Sequence, residues 1–524
     1  MHGPWPTIPA MTEAAAERFG DGLAVSDGAT TMSYGELFEA SRSFGAALVA
    51  SGVERGDRVA IWAFNSAEWI VACLGLSQAG AVLVPVNTRF KGREAADILS
   101  RGRARVLVTV TDFLGADYVS MLRSAGVELP GLETVVVARG DVPRGAESWA
   151  GFTARATSAA FAELDRRRAA TDGGDVSDIL FTSGTTGVPK GVVMTHGRTL
   201  YCGTDWVAMT GLLPTDRYLM IPPYFSQFGF KAGILASVAA GAAMLPEAVF
   251  DVDAVLARVH RERVTVLPGP PTLYQSILDH PKRDGYDLSS LRVAVTGASD
   301  IPVDLIRRID EELPFSTIIS GYGMTEGGTA TGTEPGDEFE AIATTVGRAR
   351  PGFEIRISGD QGIDLPPGEI GEIVFRGPSV MLGYLDDPQG TAAVLSPDGW
   401  LRSGDLGLTD PDGRLRIVGR IKDMFIVGGF NVYPAELENV LLGHPDISRA
   451  AVIGVPDERL GEVGRAFVVL RPDAAATTGE AIVAWCREHT ANYKVPRVVE
   501  ILPELPLNAS GKVEKAVLRT RSQH

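Results

Sequence analysis

At 524 residues the chain is too long for one ordinary core and should divide into two or more domains. Its 45% hydrophobic and 22% charged composition is that of a soluble globular protein. A formal net charge of −16 argues against nucleic acid or an anionic membrane surface as partner, so any anionic substrate must meet local positive groups. The three cysteines, Cys73, Cys202 and Cys486, are scattered, lack metal-ligand spacing and suit a reducing cytoplasm. Met1 to Pro6 shows no basic stretch leading into an apolar one, so no signal peptide is expected. The longest nearly uncharged run, Ala232 to Pro246, is shorter than the ~20 residues of a membrane helix. It reads as a buried helix and turn, and no membrane span is expected.

In chain order, short β-branched runs alternate with alanine-rich amphipathic stretches: Arg58 to Trp62, Ala81 to Val86, Arg105 to Val110, Val264 to Leu267 and Val293 to Val295. This alternation predicts parallel sheets covered by helices, an α/β fold. The polar patch Ala169 to Gly174 is a surface connection. It precedes Phe181-Thr182-Ser183-Gly184-Thr185-Thr186-Gly187-Val188-Pro189-Lys190-Gly191, a loop rich in glycine and hydroxyls with one lysine, suited to cradling phosphate. The spacing of a Walker loop is absent, because Lys190 is misplaced and no Ser or Thr follows it. From about Glu354 short strands and turns predict a small β-barrel or sheet closing the large domain. After Arg420 a compact α+β tail begins, with a helix opening near Pro434.

Four further blocks follow the loop in order: Tyr322-Gly323-Met324-Thr325-Glu326, Ser403-Gly404-Asp405, Gly419-Arg420-Ile421-Lys422-Asp423 and Asn508-Ala509-Ser510-Gly511-Lys512. Together the five blocks span most of the chain and resemble the signature of the adenylate-forming superfamily: acyl-CoA synthetases, peptide-synthetase adenylation domains and luciferases. The resemblance implies a large N-terminal domain of αβα-type sheets with a small β-barrel, residues 1–421, and a small mobile α+β C-terminal domain, residues 422–524, hinged at Lys422. It implies ATP/AMP, Mg²⁺ and coenzyme A. Thr182, Ser183, Gly184, Thr185, Thr186, Gly187 and Lys190 would hold phosphates, Tyr322 and Gly323 the adenine against Gly297, Ala298 and Ser299, and Asp405 the ribose hydroxyls. Thr325 would meet the α-phosphate, Glu326 would bind Mg²⁺, Arg420 would approach ribose and phosphates, and Lys512 would bridge the acyl carboxylate and the nucleotide. Gly428, Gly429 and Phe430 would line the pantetheine slot. Some of these residues have plainer readings: Thr325-Glu326 as a helix N-cap, Gly404-Asp405 as a turn, Tyr322 as core packing, Lys512 as a solvated lysine.

The acyl side reads Phe225-Ser226-Gln227-Phe228-Gly229, and Ser226 stands where acyl-CoA synthetases commonly carry histidine. Serine can hydrogen-bond but supplies no charge. Either the pocket is reshaped, or the first step is weakened and a partner ligase supplies a preformed acyl-adenylate. Loading of a carrier protein is a further alternative. The stretch from Val264 to Pro281, with Lys422 to Met424 and Gly428 to Glu436, is similar to actinobacterial ligases for propanoate side chains of degraded steroid rings, and terpenoid ligases of the platensimycin type are also comparable. A bulky alicyclic acid is therefore the expected substrate class.

Overall fold

A computed structural model describes residues 5–182, 189–296, 303–359, 362–471, 474, 477–507 and 513–522. An eight-stranded sheet runs in the order Gly383–Tyr384, Lys190–Thr195, Val176–Thr182, Val82–Pro85, Arg58–Trp62, Ala104–Val110, Thr134–Arg139, Glu147–Ser148. From Val176–Thr182 outward every pairing is parallel, whereas Lys190–Thr195 folds back antiparallel on Val176–Thr182. A nine-stranded sheet carries Leu23–Asp27, Ala243–Pro246, Arg217–Met220, Val266–Gly269, Val293–Thr296 and Thr317–Met324 as parallel neighbours, with antiparallel strands at both edges.

Strands such as Val82–Pro85, Val266–Gly269 and Val293–Thr296 are buried along their whole length, as parallel strands covered on both faces must be. The helix Ala67–Gln78 is buried on all sides. One continuous apolar cluster joins Val59 and Leu107 of the first sheet, through Trp69 and Leu74 of that helix, to Val266 and Ile319 of the second. The two sheets therefore share an inner helical layer. The run from Ala232 divides into helix, a left-handed turn at Gly241 and the buried strand Ala243–Pro246, so it is helix and turn followed by a strand.

The segment after Glu354 forms a four-stranded antiparallel sheet, Glu354–Ser358, Gly371–Arg376, Leu401–Thr409 and Leu415–Arg420. Of the barrel and sheet alternatives the chain adopts the open sheet, because its first and last strands are not paired with each other among the described residues. A five-stranded sheet follows, built on the long hairpin Ile447–Asp457 and Gly461–Leu470, and is packed by the helices Pro434–Leu442 and Gly479–His489. The first of these helices opens with proline in its first turn, where a missing N–H costs nothing. All three cysteines are buried and unbridged, and no helix among the described residues is long and apolar enough to cross a membrane.

The N-terminal helix Ile8–Phe19 is tied to the sheet hairpin through His196, whose Nδ1 lies 3.4 Å from the Ile8 N–H. Burial pushes this imidazole from 6.5 down to about 4, against the upward pull of Asp178 and Asp175. With the folded value below the unfolded one, the stability from neutral His196 is complete above pH 6.5 and is lost as pH falls towards 4. Denaturant unfolding across that window should show a loss on the order of 3 kcal/mol, and His196→Gln should lack this part of the pH dependence.

Candidate active site

Thr182 and Lys190 face each other as paired residues at the open end of the antiparallel hairpin, so the intervening loop connects strand to strand. A Walker loop instead leads a strand into a helix. Ser183, Gly184, Thr185, Thr186 and Gly187 lie outside the described residues, as do Gly297, Ala298, Ser299 and Lys512. Lys190 Nζ stands 3.6 Å from Asp387 Oδ2 and 4.6 Å from the centre of the Tyr384 ring. Tyr384 reaches this position because Gly383–Tyr384 adds to the edge of the same hairpin, pairing with Val193 and Val192.

Thr325, Glu326 and Gly327 form the tight turn between Thr317–Met324 and Gly328–Gly332, which excludes the helix-cap alternative. Glycine is required at Gly323, since a Cβ there would sit 2.2 Å from the Gly328 carbonyl oxygen. Glu326 is only 8% exposed. Tyr384 Oη donates to Glu326 Oε1 at 3.0 Å, and the Met381 N–H donates to the Glu326 carbonyl at 2.7 Å. Burial holds the Glu326 carboxyl above the usual range, opposed by the Tyr384 hydrogen bond and the charge of Lys190. One segment, residues 381–387, therefore touches both Glu326 and Lys190. Sequence reasoning missed Tyr384 and Asp387; a tyrosine followed by carboxylates was the only signal available, and it is too common to single out.

Asp405 lies within the strand Leu401–Thr409 rather than in a turn, directly opposite Arg420. Its Oδ2 accepts from Tyr322 Oη at 2.7 Å and its Oδ1 lies 3.2 Å from Arg420 Nε. The Tyr322 ring also packs edge-on against Phe375, so the residue serves the core and the polar cluster together. The structure thus brings Tyr322, Glu326, Lys190, Asp405 and Arg420 to one neighbourhood, with Thr325 half-buried beside them.

Two other groups of residues complete the set singled out from the sequence. Lys422 is exposed in a turn between Leu415–Arg420 of the four-stranded sheet and Phe425–Val427 of the five-stranded one. Gly428 and Gly429, at φ 56° and 90°, make the two-residue turn of a hairpin whose second strand starts at Phe430, a residue 60% exposed. In the segment Phe225 to Gly229, the Ser226 hydroxyl accepts from the Gly229 N–H at 3.2 Å and donates to the Pro223 carbonyl at 2.7 Å. It caps the helical run that begins at Gln227. Phe228 packs edge-on against Trp206, and Gln227 Oε1 is buried with no partner among the described residues.

The pattern of the AMP-binding enzyme family matches residues 12–385, and that of the AMP-binding enzyme C-terminal domain matches residues 436–512. The chain belongs to the AMP-binding enzyme family. This AMP-binding enzyme is 48% identical over 516 residues to a 3-[(3aS,4S,7aS)-7a-methyl-1,5-dioxo-octahydro-1H-inden-4-yl]propanoyl:CoA ligase of Rhodococcus jostii, covering 98% of both chains. It is 48% identical over 517 residues, again 98% of both, to the ligase of the same name from Mycobacterium tuberculosis. The fold matches the crystal structure of the anthranilate CoA ligase AuaEII in complex with anthranoyl-AMP at a TM-score of 0.86 and 28% identity, covering 99% of this chain and 98% of that one.

Among the described residues of this AMP-binding enzyme no group of three or more His, Cys, Asp and Glu could hold a metal by itself. A lone carboxylate such as Glu326 suits Mg²⁺, which keeps most of its shell on water and substrate phosphates. Because folding raises the Glu326 pKa, the penalty on its charged form applies above the carboxyl range and vanishes below it. Glu326→Gln should therefore melt at a higher temperature than the wild type at pH 7, with the difference closing at about pH 4, as thermal unfolding scans at the two pH values would show.

Proposed function

We propose that this protein is an AMP-forming acid–CoA ligase acting on a bicyclic, steroid-derived propanoic acid through an acyl-adenylate. The observation that carries the reading is the near-full-length 48% identity to two ligases named for such an acid. The clustering of Tyr322, Glu326, Lys190, Asp405 and Arg420 supports it.

In the first step the substrate carboxylate attacks the α-phosphorus of ATP and pyrophosphate leaves. Two anions must approach, so cations and N–H groups have to cancel their repulsion and hold the attack in line. Lys190 and the loop residues from Thr182 to Gly187 would hold the β- and γ-phosphates, with Thr325 at the α-phosphate. Asp405, the acceptor of the Tyr322 hydroxyl, would also accept the ribose hydroxyls, and Tyr322 would flank the adenine beside Gly323. Glu326 would hold Mg²⁺, which when bound neutralises charge on the phosphates. In the second step the CoA sulfur attacks the acyl carbonyl and AMP leaves. The Gly428-Gly429 turn and Phe430 would admit the pantetheine arm after the domain from residue 422 onward turns about Lys422.

Ser226 bears on the choice between a complete and a divided ligase. Its hydroxyl is engaged on both the donor and the acceptor side, so it acts as a local cap and leaves the cation of the first step to Lys512. Capping gives the serine a reason to be present that needs no partner ligase, and neither that alternative nor carrier-protein loading is favoured.

The protein should convert the bicyclic propanoic acid, ATP and CoA into the acyl-CoA and AMP, followed by mass spectrometry. If thioester forms only when synthetic acyl-adenylate is supplied, the first step belongs to another enzyme; if neither mixture yields thioester, the ligase reading fails. Lys512→Ala should lower acid-dependent ATP–pyrophosphate exchange by about 10²–10³-fold, the usual effect of removing one electrostatic contact to a transition state, while thioester formation from preformed adenylate persists.

A further inference from the structure

Lys231 is the only buried lysine among the described residues, and its side chain, like that of Asp178, is 0% exposed. Nζ lies 3.2 Å from Asp178 Oδ2. The other carboxylate oxygen is already taken, accepting from Thr199 Oγ1 at 2.5 Å and Ser177 Oγ at 2.8 Å. Neither Nζ nor Oδ2 makes a well-aligned hydrogen bond among the described residues. Burying such a pair costs desolvation that its mutual attraction only partly offsets, so stability alone is a weak reason for it to exist.

A second local departure sits at the same place. Lys231 belongs to Phe230–Leu235, a π-helical stretch inside a helical run that continues from Gln227 to Ala240. Wide turns of this kind are rare and concentrate at functional sites. The wide turn and the ion pair thus share one residue, Lys231. Violations of local rules that coincide in this way mark functional places more often than chance.

The pair joins two elements of the proposed site. Asp178 is in Val176–Thr182, the strand that runs into the phosphate loop. Lys231 is two residues beyond Gly229, at the base of the acyl-side turn capped by Ser226. The adjacent helix His196–Thr210 touches both: Thr199 Oγ1 donates to Asp178 Oδ1, and a Cβ on Gly203 would lie 3.2 Å from the Lys231 carbonyl.

Resting on the ligase reading above, we propose that Asp178 and Lys231 are positioning residues, a buried charged tether that sets the distance between the acyl-side turn and the strand feeding the phosphate loop. The acid carboxylate must be delivered to the α-phosphate across that distance, and a displacement near 1 Å in a site of this kind can cost on the order of 10²-fold in rate.

Two variants test the tether. Asp178→Asn keeps the shape and an acceptor for Thr199 and Ser177 but removes the charge; the double variant Asp178→Asn with Lys231→Met keeps that acceptor and removes both charges, so no buried charge is left unpaired. For Asp178→Asn we expect kcat/KM for the acid to fall ~10-fold or more, with ATP affinity by equilibrium binding held near the wild-type value. In hydrogen-exchange mass spectrometry the segment 226–235 should exchange faster while 190–195 does not. The double variant should melt near the wild-type temperature and still show the kinetic defect. Wild-type kinetics in a folded Asp178→Asn, or unchanged exchange at 226–235, would overturn the tether. An inactive wild type with faster exchange in the variant would sink the ligase reading and leave the tether standing.

Discussion

The antiparallel pairing of Val176–Thr182 with Lys190–Thr195 is the constraint on which the rest of the site depends. Everything between Val176–Thr182 and Glu147–Ser148 is a parallel sheet, in which a two-residue hairpin cannot join neighbouring strands. One reversal of direction places Thr182 and Lys190 side by side, at the two ends of the glycine-rich segment. The reversed strand also offers a free edge, and Gly383–Tyr384 occupies it, which brings Tyr384 and Asp387 to Lys190 and Glu326. A residue two hundred positions away in sequence becomes a neighbour because the hairpin leaves backbone groups that need partners.

Buried polarity gathers around the same hairpin. Asp178 lies on its first strand, and His196 starts the helix that leaves its second. Both are almost fully enclosed, and the histidine remains neutral through burial even with two carboxylates in its field. Exchanging a buried ion pair for apolar groups of similar volume is often neutral for stability, so stability alone is a weak account of Asp178 and its partners.

The sheet strands were legible because a parallel strand covered on both faces is an uninterrupted apolar run, and Arg58–Trp62, Ala104–Val110 and Val293–Thr296 have that texture. Their division between two sheets was not legible. Periodicity reports how a residue is buried but carries nothing about its partner, and the parallel pairing of Val25 with Met244 spans most of the N-terminal region. For the site, the resemblance picked out Tyr322, Glu326, Asp405 and Arg420, and the structure brings them close. Ser226 is the instructive case. Read along the chain it is a missing cation; read in three dimensions it is a helix cap with its hydroxyl satisfied in both directions. Tyr384 escaped notice for the opposite reason, since its meaning comes wholly from a sheet edge that no local pattern announces.

Arg420 stands where the two proposed half-reactions would meet. Its side chain faces Asp405 across the sheet, and its carbonyl oxygen accepts the N–H groups of both Asp423 and Met424, each at 3.1 Å. The exposed turn that carries Lys422 is thus anchored at one end to a residue of the Tyr322–Asp405 cluster. On the other side, Arg519 from the C-terminal helix Lys515–Arg521 pairs with Asp423 at 3.0 Å. Held from both ends, the turn leaves Ile421 and Lys422, both exposed, between the anchors. If the second domain turns as proposed, the change in backbone angles is confined to the link between Arg420 and Asp423, and the Asp405–Arg420 pair can stay with the nucleotide while Asp423, Arg519 and the glycine turn at Gly428 travel as one piece.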